Sequence, residues 1–273
     1  MTEQPSFATS VPQALREPIP RAVVLTTWVN AWIASECSAD EITTALTAFG
    51  AQRICGSASP ADSDLPVGTE RVEHHESGLL VGLVELGLTR NAHESQLRVV
   101  LPAPGDPTGL PGPPRFNQRA IEAGQAIVVD HLSVGLIPQV TGTATHWVAF
   151  HTTPGVVPGV AVRPEEAARQ VRLALIEATA QLADLDMATG RDDVSEAVRL
   201  MQAQLKQAHF PSSLPGSDQH TIFSAAQILG ICEIALTFAR PTPTAGLDQQ
   251  RTRVLTDLAT TARRCLAAAA NPR

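Results

Sequence analysis

Residues 97–130 read LRVVLPAPGDPTGLPGPPRFNQRAIEAGQAIVVD, and this stretch decides the fold because it joins two strand-like segments through a stiff loop. The alternation of residues 97–101 and the apolar run 127–129 both predict strands. Between them, residues 102–114 hold six prolines and three glycines, and a short helical segment follows. Because proline fixes the backbone angle φ, we predict a rigid bracket between two buried strands.

Further strands are predicted on both sides of this loop. Residues 53–55 form a short apolar segment, and residues 134–140 can pair with 145–150 across a Thr-Gly-Thr turn. Residues 79–88 are apolar at every alternate position and contain two glycines, which predicts a central strand covered on both faces. The run 131–162 has no Asp, Glu, Lys or Arg, but its prolines, turn and histidines favour buried strands over a transmembrane helix.

Helical periodicity flanks the strands. Residues 21–33 carry an apolar helical face, and Ser38 with Glu41 forms a capping box for a second helix. Four C-terminal helices are predicted near 164–185, 192–205, 219–239 and 247–270. We therefore predict an α+β fold whose central sheet, mainly antiparallel and of about five strands, is covered by the N-terminal helices and the C-terminal set of four helices.

The chain divides into three parts by composition. Residues 1–20 are expected to be a mobile Pro-rich arm, 21–162 a helix-then-sheet α/β core, and 163–273 an all-helical part packed on or beside that core. The acids and prolines of the arm argue against a signal peptide, which needs a short basic lead before an apolar run.

Charge and cysteine content exclude several classes of protein. The net charge of -7, with Lys206 as the single lysine and no basic run, predicts no nucleic-acid or membrane-surface partner. The cysteines are far apart and form no Cys-x-x-Cys, so neither a disulfide scaffold nor a zinc ribbon is expected. They are Cys37, Cys55, Cys232 and Cys265. We predict a cytoplasmic protein.

The Pro/Gly loop, residues 102–114, is the first candidate site. It is not a phosphate loop, because proline has no N–H to donate and no Gly-Lys-Ser/Thr follows. Its stiffness would nevertheless present polar groups to a ligand or partner at little entropic cost. The predicted binding residues are Asp106, Thr108, Arg115 and Asn117. The alternative is a purely structural crossing over the end of the sheet.

The histidines and acids do not form a recognisable metal motif. Six of the eight histidines fall between residues 74 and 151, without H-E-x-x-H or H-x-H spacing. They are His74, His75, His93, His131, His146 and His151. We therefore predict no metal and no cofactor.

Two glutamates lie within apolar segments. Burial should raise the pKa values of Glu85 and Glu233, as in an acid/base pair. A structural role is favoured for both, in a salt bridge to Arg98 or to an arginine of the last helix, Arg251 or Arg253.

The segment LRVVLPAPGDP at 97–107, with GLPG at 109–112, Phe116-Asn117 and GLIP at 135–138, resembles uncharacterised actinobacterial proteins. The resemblance extends over most of the chain. It implies no activity, and no functional residue follows from it.

These observations favour a soluble protein that works by binding, as a protein-interaction or regulatory module. The expected partner is another protein, or a second copy through helical faces. The alternative is a hydrolase-like enzyme that uses His and Asp/Glu near the loop, with or without a metal. Convergence of Asp106 and Arg115 with a histidine in one pocket would favour the enzyme. The candidate histidines are His93, His131 and His146.

Overall fold

The computed structural model describes residues 13–56, 76–91, 93–154, 162–184, 192–239 and 244–272, and these residues form an α+β fold. The described helices are α1 Gln13–Arg16, α2 Arg21–Ile33, α3 Ala39–Ala45, α4 Leu79–Glu85, α5 Pro114–Ala123, α6 Pro164–Asp184, α7 Asp192–Leu205, α8 Gly216–Thr237 and α9 Ala245–Ala270. The described strands are β1 Gln52–Cys55, β2 Glu76–Gly78, β3 Arg98–Val100, β4 Ala126–Val129, β5 Val134–Thr141 and β6 Ala144–His151.

The sheet is mixed, which corrects the prediction of a mainly antiparallel one. Across the described residues it has six strands rather than about five, in the order β2-β1-β6-β5-β4-β3. Strand β1 pairs with β6 in parallel, whereas the other pairings are antiparallel. Parallel partners are joined by long crossovers, so local periodicity could not reveal that β1 inserts beside β6. The predicted β5–β6 hairpin is confirmed, with Thr141 opposite Ala144.

The predicted central strand at 79–88 is wrong, because its first seven residues form helix α4. The two glycines that argued against a helix have other roles. A Cβ on Gly82 would lie 2.4 Å from the Cβ of Ile54, so glycine lets α4 cross β1 at close range. Gly87, with φ of +95°, follows the helix in a conformation that favours glycine. Leu79 and Leu83, one helical turn apart, are buried.

Local capping signals were reliable. The Ser38 side chain accepts a hydrogen bond from the Glu41 N–H, and Glu41 accepts one from the Ser38 N–H at 2.8 Å. The predicted capping box is therefore confirmed. Helix α6 starts at Pro164 with Glu165 and Glu166 in its first turn, as predicted from the favourable position of proline and acids at a helix N-terminus. The four C-terminal helices are also confirmed.

Both faces of the sheet are covered. One face packs against α2 and the C-terminal helices, and it includes Ile127, Leu136 and the fully buried Trp147. The other face packs against α5, where Phe116 lies over Gly135 so closely that a Cβ there would be 2.3 Å from the ring. Glycine at 135 therefore allows α5, and with it the Pro/Gly loop, to lie flat on the sheet.

One hydrophobic cluster joins the parts that composition separated. It contains side chains from α2, from the sheet and from helices α6 to α9. Residues 13–20, assigned above to a mobile arm, are folded, and Ala14, Glu17 and Ile19 are buried. The apolar side chains Ala14 and Ile19 give this segment a place in the core, which the polar composition of the preceding residues concealed. Residues 1–12 lie outside the described ranges.

Helix α8 is long and apolar enough, by length and composition alone, to cross a membrane. It packs against α1, α6, α7 and α9. A core helix enclosed by neighbours has the same composition as a membrane span, because both replace water with apolar contacts.

Two asparagine side chains cover the edge of the sheet at β3. Asn30 of α2 donates to the Leu97 carbonyl at 2.8 Å and accepts from the Leu97 N–H at 2.7 Å. Asn271, just after α9, makes the same pair of bonds to Val99, at 3.0 and 2.7 Å. Each amide imitates a neighbouring strand, so these backbone groups of the edge strand are not offered to another chain. The end of α9 is thereby tied to the sheet.

We predict that Asn271→Ala lowers the free energy of unfolding by about 1–3 kcal/mol, because it leaves the backbone N–H and C=O of Val99 without partners. Urea denaturation measures the change. Gln250→Ala, an exposed position on the same helix, is the control and should change stability by less than about 0.5 kcal/mol. Equal stability of the two variants would contradict the role of this amide.

Candidate functional site

The Pro/Gly loop is held by two arginines. Arg98 binds Asp130 through two bonds of 2.9 Å and donates from Nη1 to the Gly109 carbonyl at 3.0 Å. Arg264 of α9 binds Asp106 through bonds of 3.1 and 2.9 Å. The guanidinium fork makes such bidentate contacts directional. The loop is therefore anchored to the sheet at one point and to the last helix at another.

The structure brings two of the four predicted binding residues into direct contact. Thr108 donates its hydroxyl to Asp106 at 2.5 Å, and both residues face Arg264. Asn117 instead accepts a hydrogen bond from the Gly112 N–H at 2.9 Å, which fixes the end of the loop. Arg115 is half-buried in the first turn of α5. The carboxylate of Asp106 thus has an intramolecular partner.

Asp106 titrates as an anchored acid. Partial burial raises its pKa, but hydrogen bonds from Arg264 and Thr108, with the charge of Arg264, outweigh burial and hold the pKa below its ordinary value. The carboxylate therefore stays ionised at neutral pH and keeps the bond to α9.

Beside the loop lies a cleft of about 280 Å³ between α1, α5, α8 and α9. Its walls combine charged side chains with apolar ones, and they include four proline rings. The lining residues are Ala14, Glu17, Pro18, Pro20, Leu101, Pro102, Ala103, Pro104, Ile121, Glu122, Gly124, Leu229, Gly230, Glu233 and Arg263. The start of the Pro/Gly loop forms one wall, whereas Asp106, Thr108, Arg115 and Asn117 lie outside this lining. Concave apolar sites with a few polar groups are the usual form of a small-ligand site.

Glu233 and Arg263 form an ion pair in the cleft. Nη2 of Arg263 lies 3.3 Å from Oε1 of Glu233, and each side chain is 21% exposed. Burial raises the pKa of Glu233, against the lowering effects of Arg263 and the Ala14 N–H. The prediction that burial raises the pKa of this residue is confirmed. The predicted salt bridge to an arginine of the last helix is confirmed. The arginines named for it are wrong, because Arg98 binds Asp130, Arg251 binds Asp248 and Arg253 faces Asp257.

Glu85 lies in a different setting from that predicted. It is exposed at the end of helix α4 instead of buried in a central strand. Its carboxylate accepts a hydrogen bond from the Ser77 hydroxyl at 2.6 Å. The helical period turns this side chain away from the core, whereas the strand prediction had placed it inside.

A buried polar network lies behind the wall of the cleft. Glu17 binds the Arg21 guanidinium at 3.0 and 2.6 Å and also accepts from the Arg21 N–H. Arg21 donates to Thr145 on β6 at 2.5 Å, and Gln125 bridges Glu17 and the Ala22 N–H. Glu17 and Gln125 thereby satisfy the first N–H groups of α2, whose N-cap residue Pro20 offers no side-chain acceptor.

Sequence reasoning missed this network and two arginines of α9, Arg263 and Arg264. One signal existed for Glu17. An apolar helix that begins after Pro20, without Ser, Thr, Asp or Asn as N-cap, needs an acceptor from elsewhere in the chain. A second signal was the adjacent pair Arg263-Arg264 within the alanine-rich end of α9. Charges in such a segment need carboxylate partners when they lie against the core.

The histidines that the structure describes between residues 131 and 151 lie on or next to the sheet, and His151, the last residue of β6, is half-buried. Nδ1 of His146 lies 3.4 Å from Sγ of Cys55 on the neighbouring strand. His131 is exposed after β4, and His74 and His75 fall outside the described residues, as does the side chain of His93. No group of three or more His, Cys, Asp or Glu side chains able to hold a metal occurs among the described residues.

Three of the four thiols, those of Cys37, Cys232 and Cys265, are not activated for nucleophilic chemistry. Burial raises the pKa of Cys232 to about 12 and that of Cys265 to about 11. Burial likewise raises the pKa of Cys37. A thiol of such high pKa carries almost no thiolate at neutral pH, and thiolate is the nucleophilic form.

Comparison with known proteins identifies relatives without a described activity. The family described as Rv1486c-like protein, N-terminal domain, matches residues 22–162, and the C-terminal domain of the same description matches 165–267. The uncharacterized proteins Rv1486c and MT1533 of two Mycobacterium tuberculosis strains are each 29% identical over 125 residues, which is 43% of this chain and 43% of theirs. The alignment thus spans less than half the length of these two relatives.

The uncharacterized protein MAV321 of Mycobacterium avium is 24% identical over 245 residues, covering 80% of each chain. No solved structure matches the chain significantly. The resemblance to uncharacterised actinobacterial proteins expected from the Pro/Gly segment is confirmed.

We predict a specific pH effect for Glu233→Gln. Because the folded pKa of Glu233 is raised, the native state binds more protons than the unfolded state between the ordinary value of 4.5 and the folded pKa. Stability from this group is therefore lost as pH rises through that window. Glutamine cannot ionise, so the unfolding free energy of the variant minus that of the wild type should rise across the window. The rise should be about 1.4 kcal/mol for each unit of the shift.

Urea titrations at a series of pH values measure this difference. The exposed Glu122→Gln is the control, and its difference should stay nearly flat. A Glu233→Gln difference that falls with increasing pH would contradict the assigned burial cost.

Proposed function

The chain belongs to the Rv1486c-like protein family, and we propose that it works by binding, as a protein-interaction or regulatory module whose contact element is the Pro/Gly loop. The observation that carries the proposal is the anchoring of this loop. Arg98 and Arg264 hold it at Gly109 and Asp106, while Pro104, Gly105 and Pro107 remain exposed. A loop that is rigid before binding loses little entropy when a partner contacts it.

Charge and composition support a protein partner rather than nucleic acid or a membrane. The net charge of -7 disfavours attraction to phosphate groups. The four cysteines are free and buried, in keeping with a soluble protein of a reducing cytoplasm. These assignments of partner and compartment are part of the proposal.

The hydrolase-like alternative stays a prediction. Convergence of Asp106 with Arg115 and a nearby histidine would favour it. In the described residues the Asp106 carboxylate is bonded to Thr108 and Arg264, and His146 contacts Cys55. These contacts favour a structural role for Asp106.

Affinity capture from the native cell tests the loop. We expect Pro107→Glu/Pro114→Glu to reduce recovery of the captured partner by about tenfold or more, because both prolines are exposed and a buried unpaired charge opposes association. Ser212→Glu/Ser213→Glu adds the same charge at two exposed positions of another loop and should leave recovery unchanged. Equal recovery with both variants would remove the Pro/Gly loop as the contact element.

Self-association through α6 is a second candidate, supported by an exposed apolar stripe on this helix. Leu173 is 57% exposed and Ile176 is 68% exposed, one turn apart. Two apolar side chains one turn apart on the exposed side of a helix can form a symmetric contact between two copies.

Sedimentation velocity tests this second candidate. We expect a concentration-dependent dimer in the wild type and a monomer in Leu173→Glu/Ile176→Glu, since two charges on the stripe would face each other across the interface. Ser195→Glu on α7, which is also exposed, is the matched control. A monomeric wild type at all concentrations would exclude the dimer.

A further inference from the structure

The ion pair in the cleft has unused bonding capacity on both sides. Within the described residues, the Arg263 guanidinium makes one hydrogen bond, the 3.3 Å contact to Glu233, although it carries five N–H donors. Glu233 accepts that bond and one from the Ala14 N–H, whereas a carboxylate offers about four acceptor positions. Both side chains are partly exposed within the cleft. A ligand can therefore reach a cation and an anion that lie side by side.

The other charges of the lining already have partners. Glu17 is bound to Arg21 behind the wall. Glu122, at the rim on α5, lies 3.4 Å from Arg119. Their fields are largely compensated, so Glu233 and Arg263 are the charged groups of the cleft best placed to select a ligand.

The size and walls of the cleft restrict the rest of the ligand. At about 280 Å³ the cleft lies just below the usual range of ligand pockets, which starts near 300 Å³. Leu101, Pro102, Ile121 and Leu229 offer apolar contacts beside the ion pair. The space therefore suits a compact apolar body of few atoms, and no polymer.

We infer that the cleft binds a small zwitterion of the amino-acid type, whose carboxylate pairs with Arg263, whose ammonium pairs with Glu233 and whose apolar side chain contacts the cleft wall. Such a ligand completes a ring of four alternating charges without breaking the existing ion pair. A ligand with one charge pairs with only one of the two side chains. Its charged group then lies beside the other side chain, which carries a charge of the same sign. The geometry thus selects for both charges on one small molecule.

The inference deepens the proposed regulatory role. Only the regulatory effect of the ligand rests on that proposal. Residues 101–104 form part of the cleft wall. The same residues connect strand β3 to the Pro/Gly loop and begin that loop. A ligand in the cleft would therefore hold the contact element in place. Ligand binding itself is measured on the purified chain without any partner. Its result is therefore separate from the result of the capture experiment.

Isothermal titration calorimetry on the full chain tests the inference. The probes are L-alanine, L-valine, L-leucine and L-phenylalanine, each titrated to about 10 mM, which detects millimolar affinity. For the tightest binder, the matched carboxylic acid and the matched amine, each lacking one charged group, should bind about tenfold more weakly or worse. For L-leucine these analogues are 4-methylpentanoate and 3-methylbutylamine.

Two variants locate the site. Glu233→Gln and Arg263→Gln should each weaken binding about tenfold or more, whereas Glu36→Gln, at an exposed position outside the cleft lining, should leave it unchanged. The analogue series on the wild-type chain decides the question if a variant fails to fold. Absence of binding by all four amino acids would overturn the inference. Equal binding of a one-charge analogue, or binding that survives both cleft substitutions in folded protein, would also overturn it.

Discussion

The buried ion pair between Glu17 and Arg21 is the constraint on which the rest of the structure depends. It closes the turn between α1 and α2, satisfies the N-terminal N–H groups of α2 with Gln125, and joins that helix to β6 through Thr145. Removing one partner of a buried pair costs about 3–5 kcal/mol, because the other charge remains in a poor dielectric. The position of α2 under the sheet, and of the cleft beside α1, follows from this contact.

Two further arginine contacts fix the conformation of the Pro/Gly loop. Arg98 and Arg264 fix the Pro/Gly segment from opposite directions, one from the sheet and one from the last helix. Asn271 closes the same arrangement by covering the edge of β3. The C-terminal helices therefore do more than cover the core, since their side chains set the conformation of the candidate contact element and supply Arg263 to the cleft.

Prediction from sequence succeeded where the signal was local and failed where the cause was distant. The capping box at Ser38 and the β5–β6 hairpin depend on residues a few positions apart, and both are confirmed. The segment 79–88 was assigned to a strand because its glycines disfavour a helix. Position 82 needs a glycine for another reason, since Ile54 packs against it and leaves no room for a side chain. Likewise, burial of Glu233 was foreseeable from the apolar helix around it, whereas its pairing with Arg263 was not.

The sequence by itself determined the α+β class, the positions of most helices, and the stiffness of the Pro/Gly loop. These properties arise from periodicity, capping and the fixed φ of proline, which act over a few residues. Only the tertiary structure decided the parallel pairing of β1 with β6, the network around Glu17 and the cleft between α1, α5, α8 and α9. These features bring together residues from distant parts of the chain, and their geometry depends on how the helices pack across the sheet.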